Sequence, residues 1–387
     1  MAAAAALPIT AIPLILPLAV VQQAHAASLL PPGAAMGLRS LDYRETGARI
    51  KVKESVLWLK SPIGEQWEMT ASAAIDLVSG ASAINVTNQS GVPTPIYTGA
   101  SISDRRQAGD FSLKRKFGDA NQYSLGGSVA TSDEKDYKSK AFGINGTIDF
   151  NERNTTLAVG LGDRRDRVLS VTDKTLDAPR NARETLVGVT QIIDRHTLIQ
   201  SNLTFTRLTG YLNDPYRLTF TVFTDGLSPR FVLARDSRPD SRNEWAWLTR
   251  FKRNFAEAGG VFSTEYRFTR DDWGVKAHTV AGSWLQNLGA DWQAEVGLRY
   301  YSQSAADFYR GALIRPNPRY TSSDQRLAAF GSLEPSLRVV YKFDASTSLD
   351  ASIAIYRQQG NWKLGGATAY FQPLEAHLIN VGVVHRF

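Results

Sequence analysis

Charged side chains recur at every second residue along many stretches of this sequence, with apolar side chains between them. In residues 292–301, for example, Glu295 and Arg299 alternate with Val296 and Leu298. Successive side chains of a β-strand point to opposite faces, so the charged set shares one face. Carboxylate and guanidinium groups placed in this way can bind ions or charged solutes, or pair with one another. The charged residues assigned to this face are Glu68, Asp76, Asp110, Lys114, Lys116, Arg250, Lys252, Glu265, Arg267, Glu295, Arg299, Arg338, Lys342 and Asp350.

Residues that commonly perform catalysis or bind metals are sparse. After the first 26 residues the histidines are His196, His278, His377 and His385; no two have metal-ligand spacing, and the chain has no cysteine. A hydrolase would need a serine, a histidine and an acid together. His278 and Ser283 are five residues apart, so on one strand they point to opposite faces. We therefore predict no enzyme, no metal site and no cofactor.

The apolar faces indicate strands that cross a membrane. The period of two continues for about 11–14 residues in each segment, which exceeds the usual strand length in soluble proteins and matches a tilted bilayer crossing. Aromatic residues such as Trp67, Phe117, Trp245 and Trp292 stand at the segment ends. A lysine or arginine facing lipid near the midplane would cost about 2–4 kcal/mol, so the charged face is assigned to the interior. In lipid the backbone groups must pair internally, so the sheet has to close.

Connections between the predicted strands alternate between short turns and long loops. The pattern predicts an all-β fold: a closed antiparallel transmembrane β-barrel of about sixteen strands, with fourteen as the alternative. The first strand is predicted over Met36–Arg44, and it turns at Glu45–Gly47 into a second strand over Arg49–Lys60. A barrel of this size has a water-accessible bore unless loops fold into it. The loops expected to fold inward are Ser79–Ser103 and Gly210–Arg242.

The first residues have the pattern of a secretory signal. An apolar run, Leu7–Val21, precedes the small-residue motif Ala24-His25-Ala26, so residues 1–26 are predicted to be a signal peptide. Residues 27–35 are predicted to be a flexible lead and residues 36–387 the barrel. The absence of cysteine fits passage through an oxidising compartment. Together with 17 Phe, 14 Tyr and 8 Trp dispersed along the chain, these features predict the bacterial outer membrane.

The final ten residues carry a pattern typical of outer-membrane barrels. The sequence ends at Phe387, which follows His385, Val383, Val381 and Ile379 at every second position. An apolar row that ends in an aromatic residue is the usual signal for barrel assembly. We predict that this row faces lipid and is recognised by the barrel-assembly machinery.

The formal net charge of +7 could indicate binding to nucleic acid. Lysine and arginine are scattered, however, and alternate with aspartate and glutamate, and no basic helix or tail appears. The longest loop, residues 210–242, holds five arginines. These could bind an anionic ligand or surface lipopolysaccharide, although a solvated loop is the simpler interpretation. The sequence therefore predicts no nucleic-acid partner.

Seven segments in order along the chain match a known pattern. They are Arg49–Pro62, Asp76–Ser82, Asn154–Gly162, Val187–Gln191, Asp214–Tyr216, Gln303–Tyr309 and Ser323–Phe330. Together they resemble an uncharacterised outer-membrane family, the domain of unknown function 3570. The resemblance implies a membrane-embedded barrel. It also implies that family members occur together with a small lipoprotein and a flavin-attaching enzyme, which is an association and not a mechanism. No threonine motif for covalent flavin attachment is found.

The inner charges allow two interpretations, which the sequence leaves open: they line a hydrated pore, or they pair into a network that stiffens a narrow barrel. The main functional prediction is a pore or conduit for small polar or charged solutes. The alternative is a structural barrel that anchors a periplasmic lipoprotein or a flavin or redox partner. A third function, an outer-membrane enzyme, lacks a recognisable catalytic group.

Overall fold

The computed structural model describes residues 30–47, 49–80, 83–89, 92–97, 102–225, 228–310, 319–366, 368 and 371–387. Within these residues, sixteen antiparallel strands close into one barrel, and two further strand pairs form separate hairpins. Numbered in chain order, the barrel strands are β1 (Ala35–Glu45), β2 (Ile50–Ile63), β3 (Trp67–Gly80), β6 (Ile102–Phe117), β7 (Tyr123–Asp133), β8 (Tyr137–Phe150), β9 (Thr155–Leu169), β10 (Asp177–Asp194), β11 (Thr197–Gly210), β14 (Ser241–Phe255), β15 (Gly260–Asp271), β16 (Lys276–Leu288), β17 (Trp292–Gln303), β18 (Phe330–Lys342), β19 (Thr347–Gln359) and β20 (Leu374–Arg386). The hairpins are β4 (Ala83–Gln89) with β5 (Val92–Tyr97), and β12 (Leu218–Asp225) with β13 (Ser228–Arg235). The prediction of an all-β barrel with sixteen strands is confirmed.

Helical structure is confined to three single turns of 3₁₀ helix in the described residues: Asn151–Arg153, Gln325–Leu327 and Gly360–Trp362. No helix in this part of the chain has the length and apolarity to span a bilayer.

The outer face of the barrel is apolar along its strands. Phe142, Leu161 and Val187 are each more than half exposed, and the register places Leu161 beside Ile144 on the same face. Aromatic residues gather where β17 begins and β18 ends. The ring centroids of Trp292 and Tyr341 are 4.5 Å apart there. This is the surface expected of a barrel that lies in lipid.

The two ends of the barrel differ in their connections. One end, here called the turn end, carries the short connections 64–66, 118–122, 151–154, 195–196, 256–259, 289–291 and 343–346. The opposite end, the loop end, carries the long ones, including both hairpins. The prediction that Ser79–Ser103 folds inward concerns side chains that lie outside the described residues. The loop Gly210–Arg242 is described at its base, which takes part in the site below.

The barrel closes between its first and last strands. β1 and β20 pair from Ala35 opposite Arg386 to Glu45 opposite Ala376. Beyond this ladder, the Phe387 N–H donates to the Ala34 carbonyl and the Gly33 N–H donates to the Phe387 carbonyl, both at 2.9 Å. β1 therefore starts at Ala35, one residue before Met36, the start predicted from the sequence. Gly33 and Ala34, which precede β1, are thus paired with Phe387.

The terminal row is on the outer face. Ile379 and Val381 are about half exposed, and the His385 ring contacts the Phe387 ring edge-on at 4.6 Å. The His385 Nδ1 also lies 3.0 Å from the Thr347 hydroxyl. Recognition of this row by assembly machinery stays a prediction.

Candidate functional site: a capped lumen

The cross-strand register assigns the predicted inner residues to one face, opposite the exposed apolar rows. Directly opposed pairs such as Glu68 with Lys114 and Arg250 with Glu265 show this arrangement. The inner positions are occupied by Glu68, Asp76, Asp110, Lys114, Lys116, Arg250, Lys252, Glu265, Arg267, Glu295, Arg299, Arg338, Lys342 and Asp350. By the same register, Ser283 faces inward and His278 outward, where the His278 Nδ1 lies 2.9 Å from the Tyr266 hydroxyl. These two residues therefore do not meet.

Part of the inner charge is paired. The Arg250 Nε donates to the Glu265 carboxylate at 2.6 Å, and Lys60 lies 3.1 Å from Glu68. Near the turn end, by contrast, Lys252 and Lys342 form no ion pair within the described residues. The wall therefore combines the two arrangements that the sequence left open, an ion-pair network and unpaired charge facing the lumen.

A larger network crosses the closure between β1 and β20. The Arg39 Nη2 donates to both oxygens of Asp350 at 3.2 Å, although β20 lies between their strands. The residue between them is Gly382, and a Cβ there would lie 2.8 Å from the Asp350 Oδ1. Arg338 approaches the same carboxylate from β18, with its Nε at 3.3 Å, and extends towards Glu295 at 3.9 Å. Three strands, β1, β18 and β19, are thereby joined through one buried aspartate, and Arg338 extends the network to β17.

The loop end is covered by a folded cap, formed by residues 211–217, 236–240, 272–275, 304–310, 319–329 and 371–373. Its centre is an apolar cluster drawn from three connections of the loop end and the start of β18. The rings of Trp273 and Phe308 meet edge-on at 5.1 Å, and those of Phe330 and Phe371 stack at 5.1 Å. The buried members are Trp273, Val275, Ala306, Phe308, Tyr309, Leu327, Ala328, Phe330 and Phe371. Burial of this much apolar surface holds the loops together.

An ionic cluster lies beside the apolar one. Asp324 is fully buried and accepts from the Arg238 Nη2 at 2.8 Å and the Arg326 Nε at 2.8 Å. Arg217 approaches the same carboxylate to 3.5 Å. Burial alone would raise the pKa of Asp324, but the three guanidinium groups hold it well below its usual value. The carboxylate is therefore charged, and it fastens three separate segments to one another.

Two arginines of the loop Gly210–Arg242 are largely buried, contrary to the interpretation of this loop as solvated. The side chains of Arg217 and Arg238 are only 13% and 10% exposed, because both turn towards Asp324. Arg235 does agree with that interpretation, since it is exposed and pairs with Asp173 at the surface. Sequence reasoning missed Asp324 itself, whose role depends on partners about 90–110 residues away.

The cap is attached to the barrel wall through Gln303 at the end of β17. Its side-chain amide donates to the carbonyls of Ala328 at 2.6 Å and Arg326 at 3.0 Å. The Tyr301 hydroxyl in turn donates to the Gln303 Oε1 at 2.6 Å. The segment that carries Asp324 is thus held over the mouth of the barrel by inward-facing residues of the wall.

A tripeptide, Asp214-Pro215-Tyr216, connects this cap to the other side of the barrel. Asp214 forms an ion pair with Arg326. The Tyr216 hydroxyl donates to the Asp136 carboxylate at 2.7 Å and accepts from the Val171 N–H at 2.8 Å. The Tyr216 N–H donates to the Asp214 Oδ1 at 2.9 Å, which fixes the turn. Asp214 and Tyr216, two residues apart, therefore connect the segment that carries Arg326 to the loop between β7 and β8.

Acidic side chains gather beside that loop. Asp104, Glu134 and Asp136 each offer a carboxylate oxygen, and these oxygens all lie within 4.8 Å of one another. Burial and the charges of Asp136 and Asp104 raise the pKa of Glu134 to about 7. Burial also raises the pKa of Asp136, and the hydrogen bond from Tyr216 offsets this only in part. In the described residues this is the group whose spacing would allow it to hold a metal ion.

A cavity of about 430 Å³ lies between the cap and the inner wall formed by β14–β17. Its roof includes Arg238, Asp324 and Arg326 from the cap, and its wall includes Arg267 and Arg299 from the inner face. The ring order places β17 eight positions from β7 in a barrel of sixteen strands. Arg299 on β17 and the carboxylates around Glu134 therefore belong to opposite sides of the barrel ring.

Known structures with a similar architecture are outer-membrane barrels, and the identities to them are low. CdiB from Acinetobacter baumannii aligns with a TM-score of 0.52 at 10% identity, over 90% of this chain and 60% of that one. The siderophore receptor PirA from Pseudomonas aeruginosa aligns with a TM-score of 0.47 at 9% identity, over 91% of this chain and 62% of that one. The CymD monoaromatic hydrocarbon channel aligns with a TM-score of 0.45 at 10% identity, over 92% of this chain and 89% of that one. This chain thus spans about three fifths of CdiB and PirA, and the likeness concerns the barrel fold alone.

No curated protein matches the sequence significantly. A family profile described as a protein of unknown function (DUF3570) matches residues 1–374. The chain therefore belongs to this family.

Proposed function

We propose that this protein is an outer-membrane conduit for small polar or charged solutes, with its loop end and cap facing the cell exterior. The observation that carries the proposal is the polar cavity between the cap and the inner wall. A barrel of sixteen strands has room for an aqueous interior, and the inner face carries charge of both signs. The cap restricts the opening and so limits which solutes enter.

Planar-bilayer recordings of the purified full chain test this proposal. The wild type is expected to give small, discrete conductance steps, because the cap narrows the path. Asp324→Asn should raise the conductance, since the cap loses the carboxylate that fastens its segments. Asp173→Asn is the matched control, because Asp173 forms its ion pair at the surface outside the cap. Conductance at the lipid baseline for both the wild type and Asp324→Asn would exclude the conduit.

A second function, a closed barrel that anchors a periplasmic lipoprotein or redox partner, is favoured by the tight packing of the cap. The apolar cluster and the ionic cluster join the cap segments, which would suit a permanent seal. Affinity purification of the tagged protein from gently solubilised envelopes tests it. A stoichiometric lipoprotein partner together with baseline conductance would support the anchor, whereas isolation of the barrel alone would count against it.

A further inference from the structure

The cavity beneath the cap is lined by five guanidinium groups. Arg238 and Arg326 reach it from the cap, and the inner-wall residues Arg242, Arg267 and Arg299 reach it from β14, β15 and β17. Each guanidinium carries five N–H donors, so it can hold a carboxylate partner and still offer donors to a further acceptor.

The carboxylates that share the cavity lining are already engaged. Asp324 accepts from the arginines of the cap, and Glu244 lies 3.5 Å from Arg242. Glu265 is held by Arg250 at 2.6 Å, and Arg250 is not part of the lining. Each of these three carboxylates in the cavity lining therefore already has an arginine partner.

Arg299 is a wall arginine whose contact with its nearest carboxylate is long. Its Nη1 lies 3.9 Å from Glu334, which is beyond hydrogen-bond distance, and its side chain is 41% exposed. It lies over the Tyr301 ring at 5.7 Å, which holds the guanidinium close to the wall of the cavity. The side chain is therefore placed to donate to an acceptor inside the cavity.

The back of the cavity leaves room for such an acceptor. The β16 residues between the long side chains of β15 and β17 are short: Thr279 lies between Arg267 and Tyr301, and Ala281 lies between Glu265 and Arg299. The volume of about 430 Å³ is within the range of small-molecule sites. Trp273 and Leu327 add an apolar surface on one side.

We infer that this cavity is a binding site for a small organic anion, a solute that bears a carboxylate or a phosphate. The anionic group is held by Arg299 together with the arginines of the roof, and the remainder of the solute packs near Trp273. The inference deepens the proposed conduit function, because it names the class of solute that the conduit would select.

Isothermal titration calorimetry on the detergent-solubilised full chain tests this inference. The probes are inorganic phosphate and benzoate, with benzylamine as the cationic counterpart of benzoate. Saturable binding of phosphate, benzoate or both is expected, and no binding of benzylamine. Binding of benzoate alone identifies carboxylates as the class, and binding of phosphate alone identifies phosphates.

Arg299→Gln should weaken anion binding about tenfold, because a charge-assisted hydrogen bond is lost. Arg299→Lys, which retains the charge, should lose less. The matched control is Arg338→Gln: Arg338 is an inner-wall arginine of similar exposure, 42%, that lies outside the cavity lining. Heat-modifiable migration on gels establishes that each variant is a folded barrel.

Absence of saturable anion binding to the wild type would overturn the inference, as would equal weakening by Arg299→Gln and Arg338→Gln, or benzylamine binding as tight as benzoate binding. Binding is measured without a membrane, so the result is separate from conductance. A barrel that conducts but binds neither anion contradicts this site alone. A barrel that binds anions but conducts nothing contradicts the conduit alone.

Discussion

Arg39 of β1 and Asp350 of β19 form an ion pair across an intervening strand, and the pair exists because Gly382 of β20 has no side chain to separate them. The Arg39 Nη2 contacts both carboxylate oxygens at 3.2 Å, and the Asp350 side chain is only 7% exposed. The pair therefore spans the closure between β1 and β20, because Asp350 lies on β19, beyond β20. A glycine in a strand interior usually weakens the strand, but here it permits a contact that reinforces the closure.

Gly382→Ala should destabilise the closed barrel. Its Cβ would lie 2.8 Å from the Asp350 Oδ1 and 3.3 Å from the Arg39 Nε, so the pair must separate or shift. We expect a loss of about 1–3 kcal/mol in the free energy of unfolding, as for other overpacked sites. Urea unfolding in lipid vesicles, followed by tryptophan fluorescence, measures it. Gly282→Ala is the control, because a Cβ there meets nothing within 4 Å; equal stability of the two variants would contradict the prediction.

Asp324→Asn should loosen the cap and leave the barrel intact. Three arginines would lose their shared charged partner, and breaking a buried ion pair costs about 3–5 kcal/mol. Hydrogen–deuterium exchange should therefore accelerate in residues 319–329 and 236–240, while β1 and β20 stay protected. Asp173→Asn should leave the exchange of the cap unchanged, because it removes a surface pair. Unchanged exchange of the cap in Asp324→Asn would show that the apolar cluster alone holds it.

The stability of the protein should fall as the pH rises from about 4.5 to about 7. The carboxyl group of Glu134 has a pKa near 4.5 when the chain is unfolded and about 7 in the folded protein. Between these values the folded state binds more protons than the unfolded state, so raising the pH favours unfolding until both forms are ionised. Unfolding midpoints measured across pH 4–8 should show this slope in the wild type.

Glu134→Gln should flatten that slope, because the side chain can no longer ionise. Glu65→Gln, at an exposed position in the turn between β2 and β3, should leave it unchanged. If the unfolding midpoint of Glu134→Gln depends on pH as it does in the wild type, a group other than Glu134 causes the pH dependence.

Phe387→Ala should reduce the fraction of protein that reaches the folded barrel. The substitution removes the ring that contacts His385 at 4.6 Å and the aromatic end of the outer row. Phe387→Tyr keeps an aromatic ring and should assemble normally. Heat-modifiable migration of the protein in outer-membrane fractions measures the folded fraction, and equal fractions for the two variants would remove Phe387 from the assembly signal.

The barrel could be predicted from the sequence because its determinants are local. Alternation along one segment suffices to place Glu265 and Arg267 on one face and Phe262 and Phe268 on the other. The same reasoning applied to each segment, with the requirement of an even strand number, leads to about sixteen strands. Pairing across the sheet then follows from order along the chain, since most neighbouring strands in the barrel are also successive in sequence.

The cap could not be predicted in this way, because no local pattern brings Asp324 to Arg217 and Arg238. Their contact depends on loops from different parts of the ring folding over the same opening. A weaker signal was present: Trp273, Phe308, Tyr309 and Phe371 are large aromatic residues within connections, where a solvated loop would not need them. That excess indicates loops with a core of their own, although it does not name their partners.

The opposed charges at the loop end have a consequence for any molecule that enters there. Arg299 on one side and the carboxylates around Glu134 on the other would set up a field across the lumen once Glu134 is ionised, above about pH 7. Such a field turns a molecular dipole across the barrel axis. A molecule with separated charges would therefore present its long dimension to the opening, so that its length would decide passage more than its volume. At such a pH the two walls would orient a dipolar molecule before any specific contact is made.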